Sequence, residues 1–340
     1  DQVKHEVARA RDWVKDLPPP ARIHHVEGRP EETGKEETLT LFLRELGFEE
    51  PLRAEGQPPR ITRPGTNPDE RARRQYAQLY EDGQVLTRDS EFTRELFWSK
   101  ADRSSQDAFV KSTTWYREYF QNEIIGPLPE PSWPPHPRTR KIYDTPSFTG
   151  YEVMLDVFPD VFAYGILLLP KDIQPGEKRP VVVCQHGLEG RPTDVADPDH
   201  ENPYYHQFAC RLAERGFITY APQNPYGGGN TFRQALRKAQ PLKLTLYSFI
   251  QRQHEVTLNW LSSLPWVDAG RIGFYGLSYG GKTAMRIPVV IPHYCLSICS
   301  ADFNEWIWKN NDARFPYCYL WTGEYDMPEF NLGNTFNYAE

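Results

Sequence analysis

Apolar residues recur at helical spacing at the start of the chain, at Val3, Val7, Ala10, Val14 and Leu17, until Pro18-Pro19-Pro20 stops the pattern. Arg22 to Val26 reads as a short strand, and Glu36 to Leu46 as a second helix that Gly47 ends. Residues 1–50 thus form a helix-strand-helix segment. Residues 51–68 carry Pro51, Pro58, Pro59, Pro64, Gly65 and Pro68 among charged residues, the composition of an exposed linker. Residues 69–137 form a helical extension. Asp69 to Val85 and Asp107 to Ile125 are its two helices, the second striped with Phe109, Trp115, Tyr116, Tyr119 and Phe120, which the pattern assigns to packing against the following domain. Pro127 to Pro137 is a second connector.

From Arg138 the period changes. Tyr151 to Phe158 alternates like a half-buried strand, Pro159-Asp160 makes a turn, and Val161 to Leu169 returns as a second strand. Strands and helices then alternate: strand 181–184, helix 204–215, strand 217–221, helix 247–264, strand 272–275, a helix after residue 278, and strand 294–299. Such alternation with short connections predicts an α/β fold whose mostly parallel, doubly wound sheet is covered on both faces.

Two of these strands end in glycine-rich turns with chemical meaning. Gly276-Leu277-Ser278-Tyr279-Gly280-Gly281 follows a short apolar strand and opens an amphipathic helix, the arrangement of a nucleophile elbow. The tight turn excludes side chains beside the serine and exposes the hydroxyl, so Ser278 is the predicted nucleophile. About ninety residues earlier, Arg179-Pro-Val-Val-Val-Cys-Gln-His186-Gly187-Leu188 reads as a buried strand ending in His-Gly. The N–H groups of Leu188 and Tyr279 are the predicted oxyanion-hole donors, with His186, Gly187, Gly276, Gly280 and Gly281 supporting the two turns.

Composition narrows the partners. The chain has 340 residues, 39% of them hydrophobic and 14% aromatic, and a net charge of −7, which argues against a nucleic acid or an anionic membrane as partner. Neither a membrane-length apolar run nor a signal peptide is present in it. Cys184, Cys210, Cys295, Cys299 and Cys318 have no disulfide or metal spacing and read as free thiols, which favours a reducing, cytoplasmic compartment and a soluble protein. Composition leaves the oligomeric state open. Asp194, Asp197, Asp199, His200 and Glu201 cluster in a loop without compact ligand spacing and read as solvated, so no metal and no cofactor is expected.

The segment 138–340 resembles the α/β-hydrolase superfamily, and within it is similar to dienelactone hydrolase-like and acetyl xylan esterase-like serine esterases. Gln185-His186-Gly187-Leu188-Glu189-Gly190 and Gly276-Leu277-Ser278-Tyr279-Gly280-Gly281 carry the similarity. It implies hydrolysis of carboxylic esters of carbohydrates or other small acyl substrates through an acyl-serine. Dienelactone hydrolases use cysteine at the position of Ser278. Glucuronoyl esterases place a lysine where Lys282 stands here, which makes Lys282 a candidate substrate contact, but they carry arginine at the position of Tyr279. Ser-Tyr-Gly-Gly is also shared with prolyl oligopeptidase-type peptidases, although residues 1–137 show no blade period.

A serine needs a base and an orienting acid, which this fold supplies in the chain order serine, acid, histidine. Asp302, just past strand 294–299, is the candidate acid, ahead of Glu324 and Asp326. The only histidine after Ser278 is His293, which precedes a strand and so falls at the wrong end of the sheet. The expectation is therefore a sheet incomplete at its C-terminal side, a base outside this chain, and residues 1–50 as the tail of a preceding hydrolase-like domain whose histidine position holds Arg29 and Pro30. A non-catalytic scaffold with this fold is the alternative from another class.

Overall fold

The structure is a computed structural model that describes residues 2–303, except 19–20, 33, 54–55, 58–59, 61, 63–64, 66 and 302. The chain divides into two compact units, 1–71 and 72–340. In the first, α1 (Gln2–Val14) and α2 (Glu36–Glu45) have no buried residue. α2 stops where the pattern predicts. Gly47 takes a φ of +86°, its N–H donates to Arg44 O and that of Phe48 donates to Leu43 O, the paired bonds that close a helix through a left-handed glycine. The expected strand at Arg22 to Val26 is not formed. A strand needs a ladder partner, and the described residues of this unit offer none; the Ile23 carbonyl instead accepts from Arg11 Nε at 2.9 Å.

α3 (Pro68–Trp98) starts on a proline whose missing N–H costs nothing there, with Asn67 Oδ1 accepting from the Asp69 N–H. It runs well past Val85. α4 (Gln106–Ser112), capped by Ser105, and α5 (Thr114–Tyr119) follow, then a π-helical turn over Phe120–Ile125. The aromatic stripe packs chiefly on α3, Tyr116 stacking on Trp98 at 4.4 Å between ring centres, while Trp115 and Tyr119 meet Phe97. Phe120, the last residue of the stripe, does pack on the core of the sheet domain, together with fully buried Ile124 and Ile125; the Ile125 carbonyl accepts from Thr245 Oγ1 and Ser248 Oγ, both at 2.8 Å.

Seven strands form one sheet: β1 (Arg138–Asp144), β2 (Phe148–Phe158), β3 (Val161–Pro170), β4 (Arg179–Gln185), β5 (Ile218–Pro222), β6 (Val267–Leu277) and β7 (Leu296–Ser300). Their order is β1-β2-β3-β5-β4-β6-β7, antiparallel from β1 to β5 and parallel from β5 to β7. The helices between them are α6 (Thr193–Ala196), α7 (Phe208–Ala213), α8 (Thr231–Ala239), α9 (Leu246–Ser262) and α10 (Tyr279–Val290). Alternation along β2 and β3 sorts side chains onto two faces. Val153, Leu155, Val157 and Leu167 join Ile250, Leu258, Leu261 and Ile287 in one core. Phe148, Ile166 and Leu168 join Ala209, Cys210 and Ala213 in the other. β4 lies between β5 and β6, the chain passing from it to β5 on one side and then from β5 back across to β6 on the other. Its carboxyl end is thus the switch point where open sheets of this kind hold their ligands. Among the described residues no helix is long and apolar enough to cross a membrane.

Candidate active site

β6 delivers Ser278 to the carboxyl edge of the sheet with φ +61° and ψ −122°, a conformation that side chains other than glycine rarely adopt. The flanking glycines are sterically required. A Cβ on Gly276 would lie 2.0 Å from the Gly280 carbonyl oxygen, and one on Gly280 would lie 2.5 Å from that of Gln185. Gly281 is buried in the first turn of α10. The Ser278 N–H donates to Ser300 O at 2.9 Å, fastening the elbow to the end of β7, while its carbonyl accepts from the Lys282 N–H and starts α10. Ser278 itself is half-exposed.

The turn after β4 sits directly against this elbow: a Cβ on Gly187 would come within 3.1 Å of Ser278 Cβ. Its shape is set by bonds from distant segments. The Gly187 N–H donates to Tyr205 Oη at 2.7 Å, the Glu189 N–H to Tyr226 O at 3.1 Å, and the Gly190 N–H to Gly187 O at 3.1 Å. Among the described residues that leaves the Leu188 N–H of this turn without an intramolecular acceptor. Tyr226 Oη donates to His186 O at 2.7 Å, and the Glu189 carboxylate accepts from the N–H groups of Gly228 and Gly229 at 2.7 and 2.9 Å. The loop after β5 is in this way fastened to the loop after β4.

His186 is fully buried beneath the turn. Its Nδ1 lies 2.8 Å from Gly187 O, so it carries the proton and donates, and Nε2 accepts from Gln223 Nε2 at 3.2 Å. Burial pushes its pKa down to about 4. The ring is a neutral prop for the turn, with both nitrogens engaged.

His254 on α9 is a second buried imidazole, lowered by burial to about 3. Its Nδ1 accepts from Tyr294 Oη at 2.7 Å, and its Nε2 carries the proton and donates to Asn224 Oδ1 at 3.3 Å. Asn224 Nδ2 reaches Tyr226 Oη and Thr283 Oγ1. This chain of contacts joins α9, the loop after β5 and α10 under the elbow.

The other sequence candidates fall as follows. Lys282 is 1% exposed and its ammonium lies 4.2 Å from the centre of the Tyr279 ring, inside α10's packing and not at the mouth of the site. His293 is at the amino-terminal approach to β7, the opposite end of the sheet from Ser278. Asp194 accepts from the Arg191 N–H, Asp197 faces His200, and Glu201 faces His206, so this loop uses its carboxylates internally. Asp302, Glu324 and Asp326 lie outside the described residues. Among the described residues of the larger unit, no histidine is hydrogen-bonded to Ser278. Tyr205, Asn224, Tyr226 and His254 carry no local signal that marks them in the sequence.

No protein-family model matches the chain. Mouse dipeptidyl peptidase 8 is 24% identical over 220 residues, which is 64% of this chain and 22% of that protein. The chain therefore spans about a fifth of the length of this curated relative. Among solved structures, a Bacteroides fragilis protein described as an acetyl xylan esterase superposes with a TM-score of 0.54 at 16% identity, over 73% of this chain and 70% of that one. Acetyl xylan esterase 1 from Thermoanaerobacterium gives 0.40 at 17%, over 52% and 59%. The chain has the α/β-hydrolase fold.

Proposed function

We propose that this chain carries the nucleophile half of a serine esterase that cleaves small acyl esters, carbohydrate esters among them. The reading rests above all on the strained, half-exposed Ser278 standing against the Gly187-Leu188 turn. In the proposed reaction Ser278 Oγ attacks the ester carbonyl carbon and yields its proton to a general base. The carbonyl oxygen becomes an oxyanion that the Leu188 and Tyr279 N–H groups stabilise, with the positive end of α10 behind Tyr279 adding to the field. Collapse breaks the bond to the alcohol, which leaves with the proton from the base, and water then hydrolyses the acyl-serine. Asp302 is the acid assigned to orient the base. The structural likeness to acetyl xylan esterases supports an acetyl group on a sugar hydroxyl as the first substrate to test.

The sequence likeness to a dipeptidyl peptidase favours a second reading, peptide hydrolysis at the same serine. Labelling of the full-length protein with a fluorophosphonate, followed by rates on acetylated xylo-oligosaccharides, aryl acetates and dipeptidyl anilides, separates them. The ester reading expects labelling that Ser278→Ala abolishes, together with turnover of the acetates. Preference for the anilides would transfer the function to the peptidases, and a full-length protein, base included, that does not label would mark the fold as a scaffold.

A further inference from the structure

Tyr205 lies outside every regular element, in the turn that leads into α7, yet its phenol reaches the elbow. Its Oη accepts the Gly187 N–H at 2.7 Å, and a Cβ on Gly187 would sit 2.7 Å from this oxygen and 3.1 Å from Ser278 Cβ. The missing side chain of Gly187 therefore lets the phenol oxygen and the serine close on the same backbone position from two sides, with no room for a further atom on that Cα. Having accepted one hydrogen bond, the hydroxyl has its own proton left to give, and among the described residues it has no acceptor.

The turn is over-determined in a way that fits a positioned group. His206 and Gln207 follow with φ of +47° and +52°, two consecutive left-handed residues that are not glycine. They are held by the Gln207 amide, which donates to Asp197 O and Pro198 O at 2.8 and 3.0 Å, and by the His206 N–H, which donates to Asn202 O at 2.8 Å. Strain kept in place by such bonds concentrates at functional sites. Phe208 meets the Tyr205 ring edge-on and limits its rotation.

We propose that the Tyr205 hydroxyl is a third oxyanion donor, giving its proton to the acyl oxygen as negative charge develops there; this rests on the esterase reading of Ser278. The N–H of Gly187 points into the phenol oxygen while the phenol proton points out of it. The two bonds polarise in the same direction, and the donor strengthens as the oxyanion forms. Burial raises the phenol's pKa, the Gly187 N–H works against that rise, and Asp194 on α6 adds to it, so the proton is in place at neutral pH.

The test uses the full-length protein, which supplies the general base, and an alkyl fluorophosphonate, whose phosphoryl oxygen takes the place of the acyl oxygen. Labelling of wild type that Ser278→Ala abolishes establishes the underlying reading; without it the esterase reading fails, independently of Tyr205. Given labelling, Tyr205→Phe is expected to slow it by about 100-fold, the scale of losing one such donor. Unchanged labelling would overturn the proposal. To separate donation from loop support, 3,5-difluorotyrosine is placed at position 205. Once ionised, its phenolate still accepts the Gly187 N–H but has no proton to give. Labelling is expected to fall with pH at a lower pH than in wild type. A pH profile identical to wild type would reduce Tyr205 to a prop for the turn and refute its role as donor.

Discussion

The backbone of Ser278 offers a way to weigh the elbow's strain apart from its chemistry. At φ +61° and ψ −122° the residue occupies a region that glycine enters freely and other residues enter at a cost of about 1 to 3 kcal/mol. Ser278→Ala and Ser278→Gly both remove the hydroxyl, so its hydrogen bonds and hydration cancel between the two variants. Going from alanine to glycine releases the strain, about 2 kcal/mol at mid-range. Two costs oppose it: the greater chain entropy of unfolded glycine, about 0.5 to 1 kcal/mol, and the loss of one half-buried methyl, about 0.4 kcal/mol. The net expectation is that Ser278→Gly is about 1 kcal/mol more stable than Ser278→Ala, or about 2 to 4 °C in Tm for a unit of this size. Urea and thermal unfolding of the two purified variants, followed by far-ultraviolet circular dichroism, measure the difference. If Ser278→Gly proves equal to or less stable than Ser278→Ala, the elbow is not strained and the steric account of the site is wrong.

The flanking positions behave in the opposite sense. Gly276→Ala places a carbon 2.0 Å from the Gly280 carbonyl oxygen, so the turn must move, and a loss of about 3 kcal/mol or more together with the labelling activity is expected in the same unfolding and fluorophosphonate assays. Gly83→Ala in α3 meets nothing within 4 Å and should gain about 0.8 kcal/mol, the helix-propensity difference, which controls for the substitution itself. The two buried imidazoles set the acid side of the stability curve. With His186 lowered to about 4 and His254 to about 3, the unfolded chain binds more protons than the native one below pH 6.5. Stability is full above that pH and falls as pH drops toward 4, by about 3 kcal/mol for His186 alone. Urea midpoints at pH 7, 6, 5 and 4.5 measure this; His186→Gln should flatten the slope, and an unchanged slope would refute a neutral buried His186.

What could be read from the sequence was what local sterics dictate. Gly276, Ser278 and Gly280 alternate because each glycine faces a backbone oxygen, Gly276 that of Gly280 in its own turn and Gly280 those of Gln185 and His186 at the end of β4, so their spacing follows from the geometry. The strand pairs and α9 were legible because their apolar periods are long and regular. α8 was not: only Phe232, Leu236 and Ala239 of its residues are buried, too few to stand out. The second half of α3 escaped for a related reason, since its buried face is Thr87, Ser90 and Arg94 while Leu86, Phe92 and Leu96 are exposed. The strand expected at 22–26 failed because pairing is not a local property. Tyr205, Asn224 and Tyr226 act on groups 18 to 59 residues away, and no spacing in the chain announces a contact of that kind.

The register of β4 on β6 explains why such dispersed residues meet at one place. Gln185 pairs with Gly276, so the two strands end in step, and two residues further on Gly187 and Ser278 leave the sheet side by side. The backbone of Gly280 then lies against the carbonyls of Gln185 and His186, with no room for a side chain between them. The serine and the amide turn are therefore held by the same ladder that holds the core, and a one-residue slip would send both turns to the wrong faces of their strands. What the ladder cannot fix is the rotation of the turn after β4 about its own axis. That rotation is set by groups outside the ladder: Tyr226 on the His186 carbonyl, the Glu189 carboxylate on Gly228 and Gly229, and Tyr205 on the Gly187 N–H. Of these three, Tyr205 alone is placed beside Ser278, the two closing on the side-chain-free face of Gly187. A residue needed merely to hold the turn could have done so from beneath, as His186 and Tyr226 do.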